Sequence, residues 1–319
     1  MNASGSGLPS DPLWPRASDW LGSSTAARAQ TTGLAILGVP ACLTSISPTR
    51  AHLTPTAVRD ALSKYSTWAA GLRTDVASLN VLDLGDVADP DGPEGEARVA
   101  EAVAALAGTG TPLVALGGDN SITYSVMSGL FGGRLADVGL ITVDAHHDLR
   151  DGESNGSPVR RLIEAGLPGE NVVQIGIADF SNSAAYGARA RDCGVTVIPR
   201  SELRGGTLED LVVCALEIAG SGGRPVYVDL DVDVCDRAFV PACPAAAPGG
   251  ITPDELRQIA FLLARDRRVH AVDITEIDAG ADSRDQRTVR LAALLVLEVA
   301  AGICTRVVQS RPGWLHNQE

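Results

Sequence analysis

The sequence predicts an α/β protein built on a mostly parallel sheet covered by helices on both faces. Three observations carry this. Short, continuous apolar runs of strand length recur along the chain, such as residues 33–40 and 138–143. Segments of helical length and periodicity separate them. Apolar residues make up 45% of the 319 positions, enough for a large core. Strands that are apolar without alternation are buried on both sides, and a helix between successive strands is the crossover that parallel pairing needs.

The elements follow in order. Residues 1–30 are rich in Ser, Gly, Ala and Pro and read as a flexible, loosely attached arm. The first buried strand is 33–40. A helix starts near Pro55, with Thr54 as N-cap, and runs through Leu62. A strand at 80–85 precedes a Pro/Gly/Asp loop at 86–95, and the Ala/Val-rich run 96–107 reads as a helix. Strands then follow at 112–116, 138–143, 172–177, 195–198, 225–231 and 269–275. Helices lie between them at 121–130, 157–166, 183–192, 208–219 and 253–265, and a last one at 288–301. No repeat and no linker interrupts residues 31–310, which read as a single catalytic domain followed by a tail at 311–319.

Composition narrows the function. A formal charge of −13 argues against nucleic acid or an anionic membrane as partner, since both would repel it. It also makes any cation near a site informative. Aromatic residues are only 4%, so the core is aliphatic and Ala-rich. The six cysteines form no CxxC pair and no zinc spacing, and several sit in apolar segments as reduced thiols would. The N-terminus shows no apolar signal-peptide core, and the apolar stretch 291–303 is interrupted by Glu298 and too short to span a bilayer. The expectation is a soluble, cytoplasmic protein.

Functional groups in open α/β sheets collect beyond the carboxyl ends of the strands, and four such ends here carry unusual chemistry. Leu116-Gly-Gly-Asp-Asn-Ser121 permits a tight turn with backbone close to a ligand. In Val143-Asp-Ala-His-His-Asp-Leu-Arg150, alternation along an extended segment would put Asp144, His146 and Asp148 on one side and His147 on the other. Two carboxylates and an imidazole suit a divalent cation such as Mn²⁺, and a hydrogen-bonded polar turn is the competing reading. In Val226-Tyr-Val-Asp-Leu-Asp-Val-Asp-Val-Cys-Asp236, Asp229, Asp231 and Asp233 would share one face of a buried strand. Like charges there repel unless a cation neutralises them, so two aspartate-bearing ends together favour a dinuclear metal site over an acidic edge strand. In Val272-Asp-Ile-Thr-Glu-Ile-Asp278, Glu276 is a metal ligand, a carboxylate for a cationic substrate group, or a helix-capping acid; spacing does not choose.

These four segments, in this order, resemble the ureohydrolase family of arginases, agmatinases and formimidoylglutamases. The family pattern runs GGDHS, DAHxD, SxDxDxxDP and an E-V-(N/D)-P-like end; here it stands as GGDNS, DAHHD, VDLDVDVCD and TEID, with the resemblance covering residues 33–305. The resemblance implies a three-layer α/β/α sandwich with a mainly parallel central sheet and two Mn²⁺ ions per subunit. It implies that Asp144 and Asp231 bridge both ions, that Asp148 completes one shell, and that His146 and Asp233 belong to the other. Hydroxide activated by the metals would attack an amidine carbon, Asp148 would carry a proton to the leaving amine, and Glu276 would pair with the substrate's amidinium. Family members are commonly trimers or hexamers, so a homo-oligomer is expected.

Finer features resemble the formimidoylglutamase branch: 148–160 with Asn155 where arginases and agmatinases carry histidine, 175–186 with its FSNS run, the 241–250 loop, and Ser45-Ile-Ser47. The implied reaction hydrolyses N-formimidoyl-L-glutamate, an acidic small-molecule amidine, to L-glutamate and formamide, a step in histidine degradation. Arg150, and less directly Arg160 or Arg161, would bind a substrate carboxylate, with Asn155 beside it; the competing role for Arg150 is an ion pair with Asp151 or Glu153. Three positions depart from the family. Asn120 stands where a histidine binds the first metal, and a neutral amide is a poorer ligand, so that site is expected to be weak. Asp229 replaces serine, adding charge that strengthens cation binding. Arg237 replaces the proline of arginases. The alternatives are another ureohydrolase activity (agmatinase, guanidinobutyrase or arginase-like), a non-catalytic metal-binding relative with Asn120 marking decay, and a deacylase of the same fold. The intact remainder of the set disfavours decay, and the DAHxD and DxDxxD pair disfavours the deacylase.

Overall fold

The computed structural model describes residues 11–21 and 33–308. In chain order the strands are β1 (Leu34–Val39), the short β2 (Trp68–Ala69) and β3 (Thr74–Asp75), β4 (Val81–Asp86), β5 (Leu113–Gly117), β6 (Gly139–Val143), β7 (Val172–Ile177), β8 (Thr196–Pro199), β9 (Val226–Asp231) and β10 (Val269–Thr275). The helices are α1 (Ala17–Leu21), α2 (Thr54–Ala61), α3 (Gly92–Ala104), α4 (Ile122–Phe131), α5 (Pro158–Glu164), α6 (Ala184–Asp192), α7 (Leu208–Ala219), α8 (Pro253–Arg265) and α9 (Arg287–Val308). β2 and β3 form a small antiparallel pair. The others form one 8-stranded sheet, ordered β4-β1-β5-β10-β9-β6-β7-β8, with every neighbouring pair parallel.

The unbroken apolar strands have the expected consequence. β1 sends Leu34 and Ile36 into one core and Ala35 and Leu37 into the other. The first core is closed by α1, α2, α7, α8 and α9; the second by α3, α4, α5 and α6. The result is a three-layer α/β/α sandwich. The chain reverses its direction of growth between β5 and β6, and β9 and β10 fill the gap between them. The four chemistry-bearing segments therefore leave the carboxyl ends of four adjacent strands at a topological switch point, the place where such sheets form a crevice.

Three local readings change. Thr54 is the first residue inside α2 rather than its cap, and its hydroxyl donates 2.5 Å to the Ile277 carbonyl beyond β10. Within the stretch read as a loosely attached arm, α1 is docked: Ala17 and Trp20 are buried, and the Trp20 indole donates 3.0 Å to Leu79 O. Residues 1–10, 22–32 and the tail 311–319 lie outside the described residues. α9 exceeds its expected length, and its segment Arg287–Arg306 is long and apolar enough to cross a membrane. It is instead a core helix: 72% of its most apolar window is buried, and Glu298, the charge that interrupts it, pairs at 2.6 Å with Arg257 of α8.

The double glycine after β5 is a packing requirement. A Cβ at Gly118 would stand 1.9 Å from Ala41 O, and one at Gly117 would stand 2.8 Å from Ile274 O. Gly118 O also accepts the Glu276 backbone N–H at 3.0 Å. Gly118→Ala is expected to destabilise the fold by an amount at or above the upper end of the roughly 1–3 kcal/mol seen for overpacking, because the obstacle is backbone, and so to lower the urea midpoint. A wild-type midpoint would contradict this account of the turn.

Candidate metal centre and active site

The segments converge by turns rather than by strand alternation. β6 ends at Val143, and 144–148 is a bent loop in which Asp148 adopts a left-handed backbone (φ 52°). β9 ends at Asp231, and Asp233 sits in a single 3₁₀ turn, its N–H donating 2.8 Å to Asp231 Oδ1. The expected alternation holds for Asp229 and Asp231 within β9, but it gives way to a bent loop at 144–148 and to a turn at 232–234. They lock together where the Ala145 N–H donates 3.1 Å to Asp233 Oδ1.

Two groups of side chains have the compactness of a cation site. In each, one ligand atom per residue lies within 4.8 Å of the others: Asp144, His146 and Asp233 in one, and Asp144, Asp148 and Asp229 in the other. Asp144 belongs to both. His146 Nδ1 stands 2.7 Å from Asp233 Oδ2 and 3.5 Å from Asp144 Oδ1. Asp231 is buried beside them. Asp144 Oδ2 and Asp229 Oδ2 are buried without a hydrogen-bond partner. Buried oxygens left without donors, in a cluster of carboxylates balanced by one imidazole, fit a divalent cation, or protons held in its place.

The electrostatics agree. Burial, then the neighbouring Asp233, pushes Asp144 up to about 7. Burial, then other carboxylates, raises Asp148, Asp229 and Asp231 well above their usual range. Burial opposes charge on His146, but Asp233 and Asp144 raise it to about 12. Without a cation the cluster holds protons in its place.

Asn120 is at the site but is turned as a donor. Its Nδ2 donates to Asp148 Oδ2, and its Oδ1 accepts from the hydroxyls of Thr123 and Thr275, each at 3.0 Å. It was expected to offer a ligand oxygen; in this orientation it steadies Asp148. Glu276 is also left-handed (φ 64°), and its Oε1 accepts from Asn120 N at 2.8 Å and Asn155 Nδ2 at 2.7 Å. Burial, then Asp119, pushes Glu276 up to about 8.

A cavity of about 320 Å³ opens beside this cluster, lined by His146, Asp148, Asp231, Asp233 and Glu276 together with Arg150 and Asn155. The competing role for Arg150 fails: Asp151 pairs with Arg189 at 2.8 Å, and no described acid pairs with Arg150. Arg160 is tied to the Arg150 and Gly152 carbonyls and to Glu164, and Arg161 forms a two-pronged pair with Glu96, so both are structural. Arg237 donates 2.9 and 3.0 Å to the carbonyls of Cys243 and Pro244, holding the 241–250 loop in a way proline would forfeit.

Several supporting groups carry no clear sign in the sequence. His147, on the other side from the ligands as expected, is buried behind the loop, its Nδ1 2.7 Å from Gln174 Oε1, while Gln174 Nε2 donates 2.9 Å back to His147 O. Asn182 braces the same loop from both sides, through His147 N and Ala145 O. Asp273 lies beside Asp229 on the adjoining strand, accepts from Tyr227 at 2.7 Å, and shares the single Thr123 hydroxyl proton, 2.8 Å away, with Asn120 Oδ1. A glutamine inside the apolar run of β7 was the one available signal, since a buried amide needs partners.

A sequence profile of the arginase family matches residues 32–302. The chain belongs to the arginase family. The formimidoylglutamase of Halalkalibacterium halodurans is 36% identical to it, over 86% of this chain and 89% of that protein. The formimidoylglutamase of Bacillus subtilis is 34% identical, over 85% and 87%. The crystal structure of the Bacillus subtilis enzyme has a TM-score of 0.86 at 31% identity, covering 95% of this chain and 96% of that one. Trypanosoma cruzi formiminoglutamase with Mn²⁺, at 23% identity, shares the fold with a TM-score of 0.82 over 92% and 99% of the two chains.

The proton-loaded cluster makes this arginase-family fold pH-sensitive when free of metal. Asp144 and Glu276 have folded values raised from 3.8 and 4.5 to about 7 and about 8. Groups raised in this way give stability that is complete below their unfolded values and lost as pH rises through the folded ones. The chelated protein should therefore show a melting temperature that falls between about pH 4 and about pH 8, with Mn²⁺ restoring it at the alkaline end. A flat or rising profile would contradict the burial of uncompensated carboxylates.

Proposed function

We propose that this protein is a manganese-dependent formimidoylglutamase, hydrolysing N-formimidoyl-L-glutamate to L-glutamate and formamide. The observation that carries the reading is one cavity holding a paired cation site, a carboxylate with a free oxygen, and an arginine without an acidic partner among the described residues. Those features match the three parts of an acidic amidine: the carbon to be attacked, the cationic amidinium and a carboxylate. The names of the relatives that span nearly all of the chain support the same assignment.

His146 and Asp233 would hold one cation and Asp148 the other, with Asp144 and Asp231 as further ligands. Two Mn²⁺ ions supply Lewis acidity that brings the pKa of water down towards about 7. The remaining work belongs to the protein's side chains. Glu276 Oε2 receives the amidinium, and the two donors on Oε1 fix its direction. Arg150 takes a substrate carboxylate, its stem lying against Gly156, where a Cβ would meet Arg150 Cδ at 2.6 Å. Asp148 Oδ1 accepts a proton and returns it to the departing amine, while Asn120 holds Oδ2. The six cysteines are free thiols, which suits the cytoplasm.

Purified protein with Mn²⁺ should release glutamate from N-formimidoyl-L-glutamate in a coupled assay, and chelation should abolish the release. Turnover of arginine, agmatine or guanidinobutyrate in its place would move the assignment within the family. Arg150→Ala should raise KM by roughly 10–100-fold with kcat little changed, the loss of one charge-assisted hydrogen bond. Glu276→Gln should lower kcat/KM by about 100-fold or more. An unchanged KM in Arg150→Ala would remove that residue from substrate binding.

A further inference from the structure

We propose that Asp229 is itself a cation ligand, giving the first metal position an all-oxygen donor set. This rests on the reading of the cluster as a metal centre and goes beyond it, because the residue stands where family members carry serine.

Asp229 and Asp273 are neighbouring aspartates on β9 and β10, facing each other in register and fully buried. They share donors unequally. Asp273 Oδ2 has two hydroxyls close by, Tyr227 at 2.7 Å and Thr123 at 2.8 Å, whereas Asp229 has only the long contact from Thr275 Oγ1, 3.4 Å from Oδ1. Asp229 Oδ2 and Asp273 Oδ1 both lack an N–H or hydroxyl donor, and the two carboxyl groups lie against each other, so a single proton between them serves the pair when no cation is bound. A carboxylate taken wholly out of water with so little hydrogen bonding is costly unless something else neutralises it. An oxygen of Asp229 is the one that lies within 4.8 Å of oxygens of Asp144 and Asp148, and Asp144 Oδ2 also lacks a partner. Asn120 presents its N–H₂ rather than its oxygen, so it leaves a place for a third ligand.

The consequence is a chemical difference between the two positions. Asp144, Asp148 and Asp229 offer only carboxylate oxygen, which favours hard cations such as Mn²⁺ and Mg²⁺. Asp144, His146 and Asp233 include an imidazole, which also suits Zn²⁺ and Co²⁺. Zn²⁺ should therefore displace Mn²⁺ from the histidine-bearing position before the all-carboxylate one.

The test is equilibrium dialysis of the full chain and of Asp229→Ser against Mn²⁺, with bound metal measured by elemental analysis. Two ions per wild-type chain, with the second weakened by about 10-fold or more in the variant, is the expected result. Identical two-ion isotherms in both proteins would overturn the role of Asp229 alone; no bound ion in the wild type would overturn the metal centre as well. A wild-type crystal soaked in Mn²⁺ decides the point even if the variant does not fold. An Asp229 oxygen at about 2.0–2.4 Å from a cation supports the proposal, and one beyond about 3 Å refutes it.

Discussion

Mutual repulsion among buried carboxylates is the constraint from which the rest of this structure follows. Asp144, Asp148, Asp229, Asp231, Asp233 and Glu276 are almost wholly removed from water at the carboxyl ends of neighbouring strands. One imidazole, His146, is the cationic partner that their ion pairs supply. Burial in low dielectric makes each charge expensive, and closeness multiplies the cost. A fold keeps such an arrangement only if its free energy is recovered elsewhere, here in two large aliphatic cores on either side of the sheet. The local instability is what gives the site its affinity for divalent cations.

Holding repelling groups together requires rigid loops, and the loops are rigid by hydrogen bonding rather than by apolar packing. Asp233 accepts from the Ala145 N–H of the neighbouring loop while its own N–H donates to Asp231; Glu276 is held by Asn120 and Asn155. Asp148 and Glu276 both occupy left-handed backbone, a conformation that costs a non-glycine residue of order 1 kcal/mol or more. The Gly117–Gly118 turn completes the scaffold, because its carbonyl fixes Glu276 while its missing side chains admit the Ala41 and Ile274 carbonyls.

The sheet and the members of the site were legible because both rest on composition at fixed places: unbroken apolar runs make buried parallel strands, and aspartates at their ends stand out against them. The directions of side chains were not. Alternation reads Asp233 as part of a strand, yet a 3₁₀ turn aims it. Asn120 was read as a ligand because of its place in GGDNS, but its orientation depends on hydroxyls from α4 and β10, more than one hundred positions apart in the case of Thr275. His147 could not be placed without Gln174 of β7, and Asp229 looked like its strand-mates until Asp273 was seen to take the nearby hydroxyls. Each of these depends on contacts between distant segments, which local pattern does not encode.

The same charge balance links cation loading to substrate choice. A dicarboxylate approaching a chain of net charge −13 meets repulsion from the whole molecule and, most sharply, from the bare cluster. In the cavity Arg150 and the acid-paired His146 stand against four acids, Asp148, Asp231, Asp233 and Glu276. Two divalent cations would change the sign of the field at the cavity floor, so that Arg150 and the metal centre attract the same ligand from its two ends. A cationic substrate of the agmatine type would experience the reverse, attraction to the bare cluster and repulsion from Arg150. If the proposed function holds, discrimination in favour of an acidic amidine would reside in the combination of a loaded centre and an arginine without an acidic partner among the described residues, and neither element would achieve it alone.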